Sequence, residues 1–453
     1  MKRRTLALLS LTGLAACRSL PGGADAARSA RERLGQLASA DRAPTPAAPE
    51  GLLGEEEAVL RALDGAPAAR ESLAELGLER AAALSWQRIE NPSAHAELRF
   101  SSEPIAVEAT LVQSLSAIAY GLARRDAAYQ EALGAKEAAV ERLLALARTA
   151  RQAHLGYRAE LTRQGLLEEA AKKAEARAVI AEELYRSGNI NALARDAERA
   201  TAETLMLGAS DGQARCAARR AALASLIGAP IAGDWRVSAV LDPPEKEAPI
   251  EGLLAKALES SAALAAANAR RQAASSKAEV ARWQGAIPEL GAGVTVHHEH
   301  GEAAVGPVLA LRLPVFDQGQ AEIAAAEAMA EKYQAQEEGA RRMVEEQAHR
   351  AEANWRAARA RLSRLADTLV PLRAQIAEET EAQLNAMNAT LFQVLDARQR
   401  ELETKLSWVD AAEAYHLATL DIRHLIAGGS LEPAHGSAPP RPTLEAQSSG
   451  GGH

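Results

Sequence analysis

Leu311-Arg312-Leu313-Pro314-Val315-Phe316-Asp317-Gln318-Gly319 is the stretch in which this 453-residue chain changes its period. Before it, apolar residues fall on every second position: Val305, Pro307, Leu309, Leu311 and Leu313, with Gly306, Ala310 and Arg312 between them. That is the pattern of a strand with one apolar face. After it, Gln320 to Gln383 contains no proline but Pro371, and Leu362, Leu365, Leu369, Leu372 and Ile376 step by three and four in a heptad seam. In between, Pro314 ends ladder pairing, Asp317 can cap the helix that follows, and Gly319 permits a tight passage. The nonapeptide therefore reads as a joint between a strand and a helix. Some 65 helical residues extend on the order of 100 Å, which is a span and not a globular element, and Pro371 should kink or locally unwind it.

Working backwards, three more segments alternate. Leu290, Ala292, Val294 and Val296 alternate with Glu289, Gly291, Gly293 and Thr295. Ala96, Leu98 and Phe100 alternate with His95, Glu97 and Arg99, and Ile105, Val107, Ala109 and Leu111 with Glu108 and Thr110. Each strand is near the roughly nine to eleven residues that cross a bilayer at a tilt. Four such strands cannot close a barrel, and an open edge in hydrocarbon leaves backbone donors and acceptors unpaired. If these strands span a membrane, the chain must oligomerise, with Glu97, Arg99, Glu108 and Arg312 facing the lumen. Two hairpins on a soluble sheet would show the same alternation.

The chain repeats itself at a spacing of about 200 residues. Leu111 to Leu115 corresponds to Leu311 to Val315, Gly188 to Asn388, Asp196-Ala197 to Asp396-Ala397, and Leu226-Ile227-Gly228 to Leu425-Ile426-Ala427-Gly428; Asn91-Pro92 stands roughly where Ile287-Pro288 does. Each half has a helical stretch (about Glu55 to Ile89, or Gly252 to Ala286), two strands, a very long helix, a break and a second helix. The organisation is 1–16 export signal, 17–50 lipid anchor and flexible tether, 51–249 first repeat, 250–428 second repeat and 429–453 disordered tail, the last ending in Ser448-Ser449-Gly450-Gly451-Gly452-His453.

The signal has a basic start, Lys2, Arg3 and Arg4, and an apolar run from Thr5 to Leu14 too short to span a bilayer. Leu14-Ala15-Ala16-Cys17 looks like a bacterial lipobox, with Cys17 as the acylated first residue of the mature protein, carrying palmitate or a similar chain; Arg18 after it allows outer-membrane sorting. Cys216 is the only other cysteine, so no internal disulfide forms once Cys17 is lipidated. The chain is 3% aromatic and rich in Ala, Glu, Arg and Leu, a balance of long helices with narrow interfaces. A net charge of −8 without a basic block argues against nucleic acid. No later segment is an apolar helix of membrane length.

The joint, together with Asn91-Pro92, the tip sequences, the duplication and the lipobox in the expected order along the chain, resembles the TolC family of outer-membrane efflux proteins from Glu55 to Gly428, including the heavy-metal ducts of the CzcC and CusC kind. Pro314, Phe316, Asp317 and Gly319 match the family's strand-to-helix joint. Gly188, Asn189 and Ile190, with Asn388, Ala389 and Thr390, match its two hairpin tips, where a periplasmic adaptor docks; Gly188 and Asn388 tolerate left-handed backbone angles. The resemblance implies a mainly α chain with a membrane β-barrel: a homotrimer giving four strands each to a twelve-stranded barrel, and long helical hairpins to a periplasmic tunnel, working with an adaptor and an inner-membrane pump. The chain departs from the pattern at Gln113-Ser114-Leu115-Ser116, which lacks the proline and glycine, and at Ala194-Arg195, which replaces Val394-Leu395.

A duct needs no catalytic group, no nucleophile or phosphate-loop motif is present, and no cofactor is implied beyond the lipid. Glu378, Glu379 and Glu381 can ring the tunnel mouth or form a solvated helix face. His297-His298-Glu299-His300, read as an interstrand loop, is the one stretch with metal-ligand chemistry, and it makes heavy-metal cations the first substrate to consider. The same architecture serves type I secretion and drug efflux. A coiled-coil lipoprotein without a pore and a metalloenzyme are the readings from other classes.

Overall fold

The protein is described from a computed structural model, which covers residues 19–35, 51–87, 91–99, 106–241, 250–287, 289–299 and 302–431. The export signal, Cys17, Phe100, Ile105, Pro288, His300 and the tail from residue 432 lie outside the described residues.

In the first repeat, α2 (Glu55–Gly65) and α3 (Pro67–Gln87) lead to β2 (Ser93–Arg99) and β3 (Ala106–Ser114). A short α4 (Ser116–Ala119) follows, then α5 (Gly121–Arg186) and α6 (Ala192–Ile227). The second repeat runs through α7 (Leu253–Ser260), α8 (Ala262–Ala286), β5 (Glu289–Glu299) and β6 (Glu302–Arg312). It continues through α9 (Gln320–Arg364), α10 (Val370–Asn385) and α11 (Leu391–Ile426). A helix α1 (Gly23–Arg33) precedes both, and β1 (Gly51–Leu52) pairs in parallel with β4 (Trp235–Arg236). The period is 199 and not 200: the ends of α3 and α8, the starts of α5 and α9, and the ends and starts at both hairpins each recur at that interval.

α5 has 66 residues and no proline, about 100 Å of helix, and α1, α2, α3, α6, α8 and α11 all pack on it. Alanines make that possible. Ala127, Ala128, Ala132, Ala139, Ala147 and Ala150 are all fully buried, and a methyl at the contact lets helix axes approach closely with little side-chain entropy to lose. The larger side chains gather at mid-height. One cluster there holds Trp355 and Tyr415, with ring centroids 5.8 Å apart, beside Ile422 and Leu425; another holds Trp235 with Leu53, Tyr157 and Leu223.

Two expectations about the ends change. The described part of the tether is helix α1, whose Ala26 and Ala30 are buried in the core formed by α2, α3 and α5, while Arg31 pairs with Asp64 and Arg33 with Glu137 at 2.7 Å. The tail is packed as far as Leu431: the fully buried Gln347 donates to the Leu431 carbonyl (2.7 Å) and accepts from its amide (2.9 Å). In both places small residues and backbone contacts do the packing, and such contacts leave no large-residue period in the sequence.

The long helix of the second repeat is interrupted as its proline requires. Leu365–Leu369 forms a π-helical turn directly ahead of Pro371, because the ring removes one backbone donor and crowds the preceding turn. Along the heptad seam Leu362 and Leu365 are buried, whereas Leu369, Leu372 and Ile376 stay exposed.

Candidate membrane sheet and tunnel mouth

The four longer strands form one antiparallel sheet in the order β2-β3-β5-β6, so the hairpins of the two repeats join through β3 and β5. Directly paired residues project to the same side, and register therefore sorts the side chains. One face carries Leu98 and Val107, Leu111 and Val294, Val296 and Val305, and Leu309 with Leu311. Leu98, Leu111, Val294, Val296, Val305, Leu309 and Leu311 are all exposed. The other face carries Glu97 opposite Glu108, Glu108 opposite His297, Thr110 opposite Thr295, and Glu289 opposite Arg312. Thr110 and Thr295 share a hydrogen bond of 3.0 Å between their hydroxyls, and Arg312 pairs with Glu289 at 2.9 Å. The outer edges of β2 and β6 have no strand beside them among the described residues. No described helix is long and apolar enough to cross a membrane.

The histidine stretch is strand, not loop: β5 runs through Glu299. His297 pairs with Glu108 and Ala304 and lies on the polar face; His298 pairs with Val107 and Ala303 and lies on the apolar face. Strand alternation thus puts His297 and His298 on opposite faces, with His300 outside the described residues, and no group of three or more His, Cys, Asp or Glu able to hold a metal occurs among the described residues.

At the second joint Pro314 stands two residues beyond the end of β6, and Phe316 is 96% exposed. Asp317 accepts from the Gly319 amide at 2.9 Å and so shapes the loop; it does not cap α9, whose N-cap is Gly319 itself at φ +71°. A Cβ on Gly285, in the last turn of α8, would collide with the Gln318 carbonyl, and one on Gly319 would press on the Gly285 backbone at 3.2 Å.

The two hairpin tips share one backbone motif. After α5 the Gly188 amide donates to Tyr185 O and the Asn189 amide to Leu184 O; after α10 the Met387 amide donates to Leu384 O and the Asn388 amide to Gln383 O. These are Schellman closures, which need a left-handed residue after the C-cap. Gly188 supplies it at φ +77°, and in the second tip Met387, not Asn388, supplies it at φ +61°. Asn191 and Thr390 then cap the returning helices through the amides of Ala194 (2.9 Å) and Gln393 (3.3 Å). Ile190 and Ala389 stand immediately before those caps. Near the second tip Glu381 is bound to Arg398, which also holds Glu401 at 2.8 Å.

The two hairpins are tied together between α5 and α11. Arg163 reaches Asp410 at 2.8 Å as well as Glu413, and Arg148 reaches Asp421 at 2.7 Å. The carboxylates around Arg163 outweigh its burial and raise its pKa further.

Solved structures share this arrangement. A membrane protein from Pseudomonas aeruginosa superposes with a TM-score of 0.71 at 18% identity, over 84% of this chain and 91% of its own. The outer membrane protein VceC of Vibrio cholerae gives 0.68 at 18% identity, over 83% and 97%. CusC, described in terms of folding and transmembrane channel formation, gives 0.69 at 15% identity, over 83% and 92%. The chain has a TolC-like, outer-membrane channel fold. No protein-family model and no curated protein matches the sequence. The likeness thus lies in architecture, and it extends over more than four-fifths of this chain.

Proposed function

We propose that this chain is the outer-membrane exit duct of a tripartite efflux system, passing substrate from periplasm to exterior. The observation that carries this reading is the four-stranded sheet with one apolar face bare and both edges open, mounted on helices of about 100 Å. Bare leucines and valines on a sheet belong against hydrocarbon, and open edges in hydrocarbon must find strands. Pairing β6 of one copy with β2 of the next, three times over, closes a twelve-stranded barrel with Thr110, Thr295, Glu97 and Glu108 on the water-filled side. The long hairpins then continue the passage into the periplasm. The tips around Gly188 to Ile190 and Asn388 to Thr390 are the surfaces for a periplasmic adaptor, and an inner-membrane pump supplies the energy. Passage through such a duct requires no catalysis.

Lipidation of Cys17 fits the packing next to it. Leu20 is buried against Ala83, Ala128 and Ala132 beside Trp86, at the end of α3 nearest the sheet. The described chain thus starts at the level where the strands begin. His297 and His298 face opposite sides of the sheet, and the same duct architecture serves metal cations, drugs and secreted polypeptides.

The test is to purify the full chain from outer membranes and measure its stoichiometry and its conductance in a planar bilayer. A conducting, heat-resistant trimer is expected. A lone, non-conducting subunit would favour the poreless coiled-coil lipoprotein.

A further inference from the structure

The junction between strands and helices bares a second set of apolar side chains. Leu313, Val315 and Phe316 are largely exposed after β6, and Trp283 and Ile287 are 53% and 42% exposed around the end of α8. Leu84 and Ile118 are exposed at the corresponding levels of the first repeat. Leaving side chains of this size in water forgoes the gain of burying them. Such surface marks an interaction site when it is contiguous.

We propose that Trp283, Ile287, Leu313, Val315 and Phe316 seat in the headgroup–acyl boundary of the leaflet facing the helices, and so set the depth at which the sheet enters the membrane. The proposal rests on the membrane reading above, and three observations favour lipid as the occupant. Leu313 prolongs the alternation of Leu309 and Leu311, so this surface continues the bare face of the sheet. Leu20 is buried beside Trp86, the 199-residue counterpart of Gly285 and thus within two positions of the counterpart of Trp283; the N-terminal segment therefore reaches the sheet at this same level. The exposed apolar residues recur in both repeats, whereas a neighbouring copy covers only the lateral edges of a chain and a bilayer surrounds all of it. The chemistry also divides here. Arg282, next to Trp283, turns to Glu327 on α9 at 2.7 Å, which keeps charge on the helix side while the indole, apolar with one polar tip, suits an interface.

The experiment uses the full chain with Cys216→Ser and one added cysteine, at Phe316→Cys or Trp283→Cys, carrying a nitroxide label in vesicles of phosphatidylethanolamine and phosphatidylglycerol. A label at Lys173→Cys, on an exposed face of α5, serves as the aqueous reference. Relaxation by oxygen should exceed relaxation by a water-soluble nickel chelate several-fold relative to the reference, at whichever of the two positions assembles. A nickel preference like that at residue 173 overturns the proposal, and so does shielding from both reagents, which would place these side chains between copies. Conductance of the same labelled protein separates the two readings. A conducting trimer with a wet label defeats the depth assignment alone, whereas a non-conducting monomer defeats the duct itself.

Discussion

The two joints occupy equivalent places and are packed in opposite ways. In the second repeat Gly285 and Gly319 bring the last turn of α8 against the start of α9 with no room for a side chain. In the first, the corresponding residues are Trp86 and Tyr120. Tyr120 is buried with the Arg124 guanidinium 4.8 Å from its ring, and Trp86 packs beside Leu20 with the Lys277 ammonium at 4.8 Å. A duplicated backbone thus tolerates either direct contact or a wedge of aromatic surface. Only the wedged joint has a place for the N-terminal segment.

The sharpest way to break this comparison is Gly285→Val. Its Cβ meets backbone that cannot rotate away, so a loss of about 3 kcal/mol is expected from overpacking, read as a lower melting temperature by circular dichroism. A melt unchanged from the parent would mean that the joint is not close-packed. Acid should destabilise the fold at His424 by a similar amount. Burial first, then the nearby Arg148, holds His424 at a pKa of about 4 against an ordinary 6.5, so the fold requires the neutral ring. Its stabilisation is complete above pH 6.5 and declines as pH falls towards 4, by about 3 kcal/mol at most. The first repeat has Ser225 at that position, but burial also lowers the pKa of His154 on α5, so acid acts on both repeats in the same direction. His424→Gln should flatten the acid limb of a stability profile, and an equally steep limb in that variant would rule His424 out as its source.

Trp86→Ala should cost about 2 kcal/mol, below the range for a fully buried tryptophan because its ring is partly wet. If it costs more than Gly285→Val, the wedged joint is the tighter of the two. The tips provide the smallest contrast. Met387→Gly should stabilise by about 1 kcal/mol and Gly188→Ala destabilise by about as much, because only glycine adopts positive φ freely. Equal signs for the two would show that the tips do not share a backbone. Glu198 offers a comparison of direction only. It is buried on α6 where α11 has Ala397, and burial raises its carboxyl pKa. Acidification relieves the cost of that buried charge, opposite in sign to the effect at His424, and Glu198→Gln should abolish the gain.

The parts of this fold legible in the sequence are those whose physics is local. Alternation in residues 289–313 announces strands because side chains leave a strand on alternate sides, and Pro371 announces the interruption of its helix because a proline cannot donate. The joint at residues 311–319 was readable through Pro314 and Gly319. Its first-repeat partner was not, since Trp86 and Tyr120 signal a turn only through what they touch. Helix α1 was hidden in a similar way: Ala26 and Ala30 are as common in linkers as in tightly packed helices, and only α5 beside them decides between the two. The histidine run reads as a loop because it is polar, whereas pairing with β3 and β6 extends β5 through Glu299 and sends His297 and His298 to opposite faces.

The sequence by itself determined the main runs of strand and helix, apart from α1 and the end of β5, that the chain is duplicated, and that its strands have one apolar side, since these follow from period, proline and glycine. The tertiary structure alone decided that the repeats are 199 residues apart, that β3 joins β5, that Met387 carries the left-handed turn, and that both ends of the described chain are held down. Those features depend on contacts between residues far apart in the chain, where register and steric room select one arrangement among several that composition and period allow equally.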